Sequence, residues 1–445
     1  MQAKQDIAIK NIKVKGNDRT KEFTIKRELL FIEDSIYVFE DFSQFETSIK
    51  QSENRVLNLN LFNSVNITYT KGQSEYNLHV TVVEKWYIWP LPFVEFSDRN
   101  FNIWSDLSFD PSRTNYGLYL FNYNLFGRNH TLKTSFVYGY NQTYGLEYRV
   151  PFLSKTSNLG LATKLKYTSQ AEVWLNTEND RLQFYKNGQN NLISKVESAV
   201  SLSKRTTPYT HAGIYISALS TKLDSSVQRI SNDFLLSEQD KLTVIETGLT
   251  YSFDNRDNIY FTTNGVYISP SIALQYYNAS SSFTNVLTNL KIQKFSQHGY
   301  KLFSSASILA EMNLVDILPY ENSKRFGYSN NIRGFERYVV EGKNAILVNT
   351  EIKYQVVNKP HIPLKFIPFK NYKFVPLDAY LGCFVDAGYV KSSDVKPLNV
   401  LPNKLLYSAG ITLQTLVYND RIIRLEYSLN SLKETGLFLH FTKAI

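Results

Sequence analysis

From residue 86 to the C-terminus the chain is written in segments of about ten residues whose apolar and polar side chains alternate with period two, and no stretch there carries a helical period. Between Leu159 and Tyr167, for example, Leu159, Leu161, Leu165 and Tyr167 fall on one side, and Lys164 and Lys166 on the other. Near residue 250, Ile245, Leu249, Tyr251 and Phe253 oppose Glu246, Thr250, Ser252 and Asp254. Close to the end, Ile423, Leu425, Tyr427 and Leu429 oppose Ile422, Arg424, Glu426 and Ser428. A water-soluble sandwich buries one face of each strand but rarely needs charge at the centre of so many opposite faces. A barrel with an apolar band outside and a polar lumen inside does need it, so the pattern implies an all-β transmembrane barrel.

Composition narrows the alternatives. With 43% hydrophobic residues the 445-residue chain could be a soluble protein of two to four domains, but an aromatic content of 14%, with 31 Tyr and 29 Phe, argues against it. No apolar run approaches the roughly 18–20 residues of a membrane-spanning helix; the longest candidate, Trp86–Val94, contains Pro90 and Pro92. The net charge of +9 is scattered over 49 basic and 40 acidic residues rather than gathered in a stripe, which weighs against a nucleic-acid partner. Cys383 is alone and cannot form an intrachain disulfide. The start, Met1–Asp6, has no apolar segment of a secretion signal, which suggests a chain that has already been processed.

Residues 1–85 follow a different rule. Ile7, Ile9, Ile12 and Val14 mark a strand that ends at the turn Gly16-Asn17-Asp18, and Thr20 is placed to cap a helix over Lys21–Leu30. A second helix follows over Phe42–Leu59, then strands over Val65–Thr70 and Tyr76–Val83 joined by the turn Lys71-Gly72-Gln73-Ser74. The order β-α-α-β-β describes a small α+β domain, either a compact spacer or a docking unit whose open sheet edge accepts a strand from a partner. From residue 86 to 445 the count of alternating segments is sixteen: 86–95, 114–123, 130–138, 143–150, 159–171, 193–204, 210–218, 242–253, 262–277, 283–295, 300–310, 344–355, 379–389, 407–417, 422–429 and 436–443. Several connections after odd-numbered segments are long, whereas most after even-numbered ones are short, which puts the N-terminal domain on the short-turn, periplasmic side. The connection Val356–Leu377 breaks this rule; it is long, basic and aromatic, through Lys365, Phe366, Phe369, Lys370, Tyr372 and Phe374, either a surface segment of the inner leaflet or the result of strands drawn too short.

Four groups of residues resemble the superfamily of outer-membrane assembly and secretion barrels typified by BamA, also called the surface antigen family. Ile7–Glu84, with Val14-Lys15-Gly16-Asn17 and the closing run Leu78–Glu84, resembles one polypeptide-transport-associated (POTRA) domain. Ile332-Arg333-Gly334-Phe335 resembles the family's loop motif, Phe384-Val385-Asp386-Ala387-Gly388 its strand motif, and Asp254-Asn255-Arg256-Asp257 with Gly265 a further turn. The resemblance implies that the loop folds back into the lumen and that Arg333 bonds Asp386. Independently, the alternation Leu381, Cys383, Val385, Ala387 turns Phe384, Asp386 and Gly388 inward, where a carboxylate benefits from a cation. Such a lock either plugs the pore or acts as a switch.

The resemblance also implies a seam between the first and last strands. Trp89, Pro90 and Pro92 lie on the first, where each proline removes a donor, and Leu437, Leu439 and Phe441 on the last face lipid. The family uses such a seam as a lateral gate, although a first strand entering from a linker also tolerates proline. One POTRA domain, where the assembly factor has several, turns the expectation toward an accessory, lipid-handling or single-client role and leaves a homodimer through the barrel open. Catalytic motifs are missing: no Gly-x-Ser-x-Gly elbow, phosphate loop or His-Glu-x-x-His is present, and His79, His130, His211, His298, His361 and His440 are widely separated. The expectation is therefore a non-enzymatic barrel without cofactor or metal in a bacterial outer membrane. It would insert or translocate client polypeptides among outer-membrane lipids, with periplasmic partners reached through the POTRA domain. The rivals are a dedicated secretion or lipid-handling pore and a passive channel whose charged lining sets ion selectivity.

Overall fold

A computed structural model describes the chain except for residues 1–4, 73–74, 99–100, 189–190, 232–233, 237–239, 260, 329, 364–373, 418–420 and 444–445. The first elements are β1 (Gln5–Lys15), α1 (Glu22–Lys26), β2 (Ser35–Phe39), α2 (Phe42–Leu57), β3 (Phe62–Lys71) and β4 (Glu75–Glu84). They form a four-stranded sheet in the order β2-β1-β4-β3, with β1 parallel to β4. Helix α2 starts where Asp41 accepts the Gln44 N–H at 2.9 Å, and it buries Phe45, Ile49 and Val56 against Ile7, Ile9, Leu78 and Val80 of the sheet. Two details depart from the sequence pattern. Strand β2 is an additional edge strand, five residues long with Ile36 and Val38 exposed, too short to register as a period. Thr20 is not a helix cap; Lys21 holds that position, and the Thr20 hydroxyl lies 2.9 Å from the Tyr87 hydroxyl while accepting from Asn124 Nδ2 at 2.8 Å.

The rest of the chain runs through β5 (Ile88–Phe96), α3 (Phe101–Asp106), β6 (Thr114–Leu125), β7 (His130–Gly139), β8 (Asn141–Val150), β9 (Leu159–Gln170), β10 (Val173–Glu178) and β11 (Arg181–Tyr185). It continues with β12 (Ile193–Thr207), β13 (Thr210–Leu223), α4 (Ser225–Ile230), β14 (Lys241–Asp254), β15 (Gly265–Asn278), β16 (Phe283–His298) and β17 (Leu302–Asn313). It ends with α5 (Tyr320–Ser323), β18 (Lys324–Phe326), β19 (Val340–Glu341), β20 (Asn344–Pro363), β21 (Phe374–Lys391), β22 (Leu405–Val417), β23 (Arg421–Asn430) and β24 (Thr435–Lys443). Strands β5–β9, β12–β17 and β20–β24 make one 16-stranded antiparallel sheet, each paired with its neighbours in chain order. All sixteen alternating segments lie on strands of this sheet. The apolar side of each strand points out and is exposed, as at Ile214, Ile216, Leu249, Ile272, Ile352, Leu381, Val385 and Leu425. An apolar belt of this extent is unstable in water and is the surface that lipid covers.

The short turns on one side dock the N-terminal domain. Glu28 receives Arg55 at 2.9 Å and, from the end of β12, Arg205 at 2.6 and 2.8 Å, while Arg55 donates to the carbonyl of Pro208 in the following turn at 2.6 Å. Lys21 N–H reaches the Gly127 carbonyl at 2.9 Å, and Arg27 stacks on Phe152 at 3.3 Å. On the opposite side the long connections carry β10, β11, α4, α5, β18 and β19, and they share an apolar cluster of Val173, Leu192, Val227, Phe234 and Tyr320. One connection decides between two sequence readings. Strands β20 and β21 continue to Pro363 and from Phe374, so the long turn Val356–Leu377 is mostly strand. A register shift between Gln355 and Val357 interrupts the alternation and hides that extension. The rest of that basic, aromatic turn, Lys365, Phe366, Phe369, Lys370 and Tyr372, lies outside the described residues, as do Gln73 and Ser74 of the earlier turn.

Candidate functional site

The loop between β18 and β19 enters the lumen and meets the inward faces of β20–β23. Alternation along β21 turns Phe384, Asp386 and Gly388 inward, and Asp386 is fully buried. Arg333 grips it with a fork: Nε to Oδ2 at 2.8 Å, Nη2 to Oδ1 at 2.6 Å, and the Arg333 N–H to Oδ2 at 3.1 Å. The same guanidinium donates to Glu351 Oε2 at 2.7 Å and to the Thr350 carbonyl at 3.1 Å, and it lies 3.8 Å from the centre of the Phe384 ring. Gln414 donates to the other oxygen of Glu351 at 2.6 Å. Each charged group of the lock is thus bonded on several sides, the condition under which a buried ion pair is tolerated.

The glycines have a steric reason. Gly334 has φ 86°, and a Cβ there would come 2.8 Å from Ser428 Oγ. A Cβ on Gly388 would come 2.6 Å from Ile332 Cδ1 and 2.8 Å from Phe326 Cε2, so its absence makes the seat for the loop. Phe335 does not touch the carboxylates; it is buried in an apolar cluster with Phe326, Ile332, Tyr338, Leu347, Val390 and Leu406. Sequence reasoning brought Arg333, Gly334, Asp386, Phe384 and Gly388 to one place. It put Glu351 and Glu426 among lumen carboxylates beside Lys164, Lys166, Arg149 and Arg424, and passed over Gln414, Glu336 and Asn430, whose only signal was an inward position on a strand or proximity to the loop motif.

The sheet ends at β5 and β24, which are not paired with each other among the described residues. Backbone bonds just beyond the ends of β5, Tyr123 N–H to Tyr87 O and Ser97 N–H to Arg113 O, show that odd-numbered residues face β6. Even-numbered Ile88, Pro90, Pro92 and Val94 therefore present their backbone to the free edge. The two prolines cost no bond to β6 and instead delete two donors from that edge. On β24 the bond from Asn430 N–H to Glu434 O turns even residues toward β23, leaving Leu437, Leu439 and Phe441 on the opposite edge. There the Leu437 carbonyl accepts Asn102 Nδ2 of α3 at 2.7 Å, and α3 is tied to the lumen loop by Asp106–Arg337 at 3.0 Å. Odd-numbered Trp89 turns its backbone toward β6, and its indole Nε1–H donates to the Trp86 carbonyl at 2.7 Å.

Residues 124–417 match the Omp85 superfamily domain. The chain belongs to the Omp85 superfamily. Residues 7–85 match the surface antigen variable number repeat, the POTRA unit, so this Omp85 chain carries an outer-membrane barrel and a single POTRA domain. Among solved structures it is similar to BamA from Haemophilus ducreyi lacking POTRA domains 1–3, with 13% identity and a TM-score of 0.55 over 98% of this chain and 85% of that one. It is also similar to CdiB from Escherichia coli (12%, TM-score 0.58, 99% and 76% covered) and CdiB from Acinetobacter baumannii (12%, 0.52, 98% and 73%). Likeness at this identity concerns the fold. Comparison with curated sequences finds no match. Superfamily members are bacterial outer-membrane proteins with periplasmic POTRA domains, and they act as assembly factors or transporters.

Proposed function

We propose that this Omp85 protein inserts or translocates client polypeptides at the outer membrane through the β5–β24 seam, with residues 1–85 as its periplasmic domain and residues 86–445 as the barrel. One observation carries the reading: among the described residues the 16-stranded sheet ends in two strands that do not pair with each other, and Pro90 and Pro92 remove two donors from the edge of the first. A client strand adds to such an edge by main-chain bonding, while Leu437, Leu439 and Phe441 meet lipid. The Arg333–Asp386 lock sets the position of the lumen loop, which through Arg337 and Asp106 reaches the helix that rests on β24. The POTRA domain offers its β2 edge to periplasmic partners. Covalent chemistry has no part in this scheme, and folding of the client supplies the free energy.

The test is the folding rate of an unrelated small outer-membrane barrel in liposomes that contain the purified protein. Acceleration by the wild type and its loss in Arg333→Ala and Asp386→Ala support an insertase that depends on the lock. No acceleration, for this barrel or for clients of the same organism, discards general assembly in favour of a dedicated secretion or lipid-handling role. A passive channel predicts steady conductance without any client, against which stands a loop bonded to the inward faces of β20 and β21.

A further inference from the structure

We infer that Glu336, Glu426 and His440 form a binding site for a divalent transition-metal cation, which ties the lumen loop to the last two strands. Glu336 comes from the loop, Glu426 from β23 and His440 from β24, and one ligand atom of each lies within 4.8 Å of the others. His440 Nε2 is 3.2 Å from Glu426 Oε2 and 3.7 Å from Glu336 Oε1. Ligands held about 2.1 Å from a tetrahedral cation stand roughly 3.4 Å apart, so the two separations from His440 suit one ion.

The second observation is the state of the donors. Glu426 is fully buried, yet neither of its carboxylate oxygens accepts a hydrogen bond of proper direction, and His440 Nε2 is likewise buried without one. A group in that condition is costly unless something else compensates it. The remaining atoms hold the carboxylates in place: Glu336 Oε2 accepts the Gly334 N–H at 2.8 Å, and Glu426 Oε1 lies 3.0 Å from Arg424 Nε, so Glu336 Oε1 and Glu426 Oε2 are the atoms turned toward His440. This resembles the outer-shell support that orients metal ligands. One imidazole with two carboxylates favours zinc-like ions over calcium or magnesium. Bound there, the ion would fasten β24, the strand at the free edge, to the loop that carries Arg333.

The site does not depend on the transport reading and is tested without it. Untagged protein in detergent, stripped with a chelator, is titrated with Zn2+ by calorimetry, and retained zinc is counted after gel filtration. One ion per chain is expected, with affinity at least tenfold lower in His440→Asn and in Glu336→Gln. Zinc should also raise the thermal midpoint, followed by gel mobility, of the wild type and leave the double variant Glu336→Gln, His440→Asn unmoved. Glu336→Gln is isosteric and lies on a loop, so native gel mobility of that variant keeps the test valid if His440→Asn fails to fold. Absence of stoichiometric binding in the wild type, or equal binding by the double variant, overturns the proposal. A midpoint that responds to acid but not to zinc would make the cluster a proton site only, and it overturns the proposal too.

Discussion

The lumen lock and the first strand belong to one sheet and follow opposite designs. In the lock, Arg333, Asp386 and Glu351 are each multiply bonded, and the backbone is packed so closely that two glycines are required. Along β5, the backbone is paired on one side only, and the free side has lost two donors to proline. Cooperative bonding makes the first region a unit that shifts as a whole, while the second has little to lose when a new strand arrives. A sheet can therefore be stable overall and still weak at one chosen place, because ladder bonds are local.

The sharpest way to break this contrast is Arg333→Ala, which strands buried Asp386 and Glu351. A loss of about 3–5 kcal/mol is expected, seen as a lower thermal midpoint by gel mobility, and a similar result for wild type and variant would mean that the lock is not held by charge. Next in size is Glu28→Ala, which leaves Arg55 and Arg205 facing each other at the POTRA contact. Docking should weaken by about 2–3 kcal/mol, read as faster proteolysis between the two parts, with the barrel itself unaffected.

Acid gives a smaller effect, confined to the outer connections. Burial alone would raise the Glu321 carboxyl, but Lys195 and Lys324 beside it hold it down at about 2, from an ordinary 4.5. The folded value lies below the unfolded one, so this contribution is complete above about pH 4.5 and disappears as pH falls toward 2. Hydrogen exchange of residues 314–343 should accelerate over that window in the wild type and show no such step in Glu321→Gln. The mildest change is Pro90→Val with Pro92→Val. Each restores one donor to the seam edge, worth about 1 kcal/mol if it pairs, and slower client turnover with greater amide protection of β24 would sharpen the contrast.

Much of this was legible in the residue order, because a period of two reports directly which side chains share a face. All sixteen strands, the outward apolar belt and the inward Asp386 follow from it. The pairing of Arg333 with Asp386 was reachable only through a family resemblance, since nothing local connects residues 53 apart. The sequence left two readings of the turn 356–377 open, because a register shift breaks the period there, and β2 was missed for being shorter than one clear alternation.

What the sequence determined alone is the local pattern: which segments are strands and which way each side chain faces. The tertiary structure decided the rest. It turned two prolines to the free edge rather than the paired one, brought Arg205 under Glu28, and set Glu336, Glu426 and His440 around one point. Facing direction is a property of neighbouring residues, but partnership across a lumen depends on how many strands the sheet has and on their register, and those are set only when the whole sheet forms.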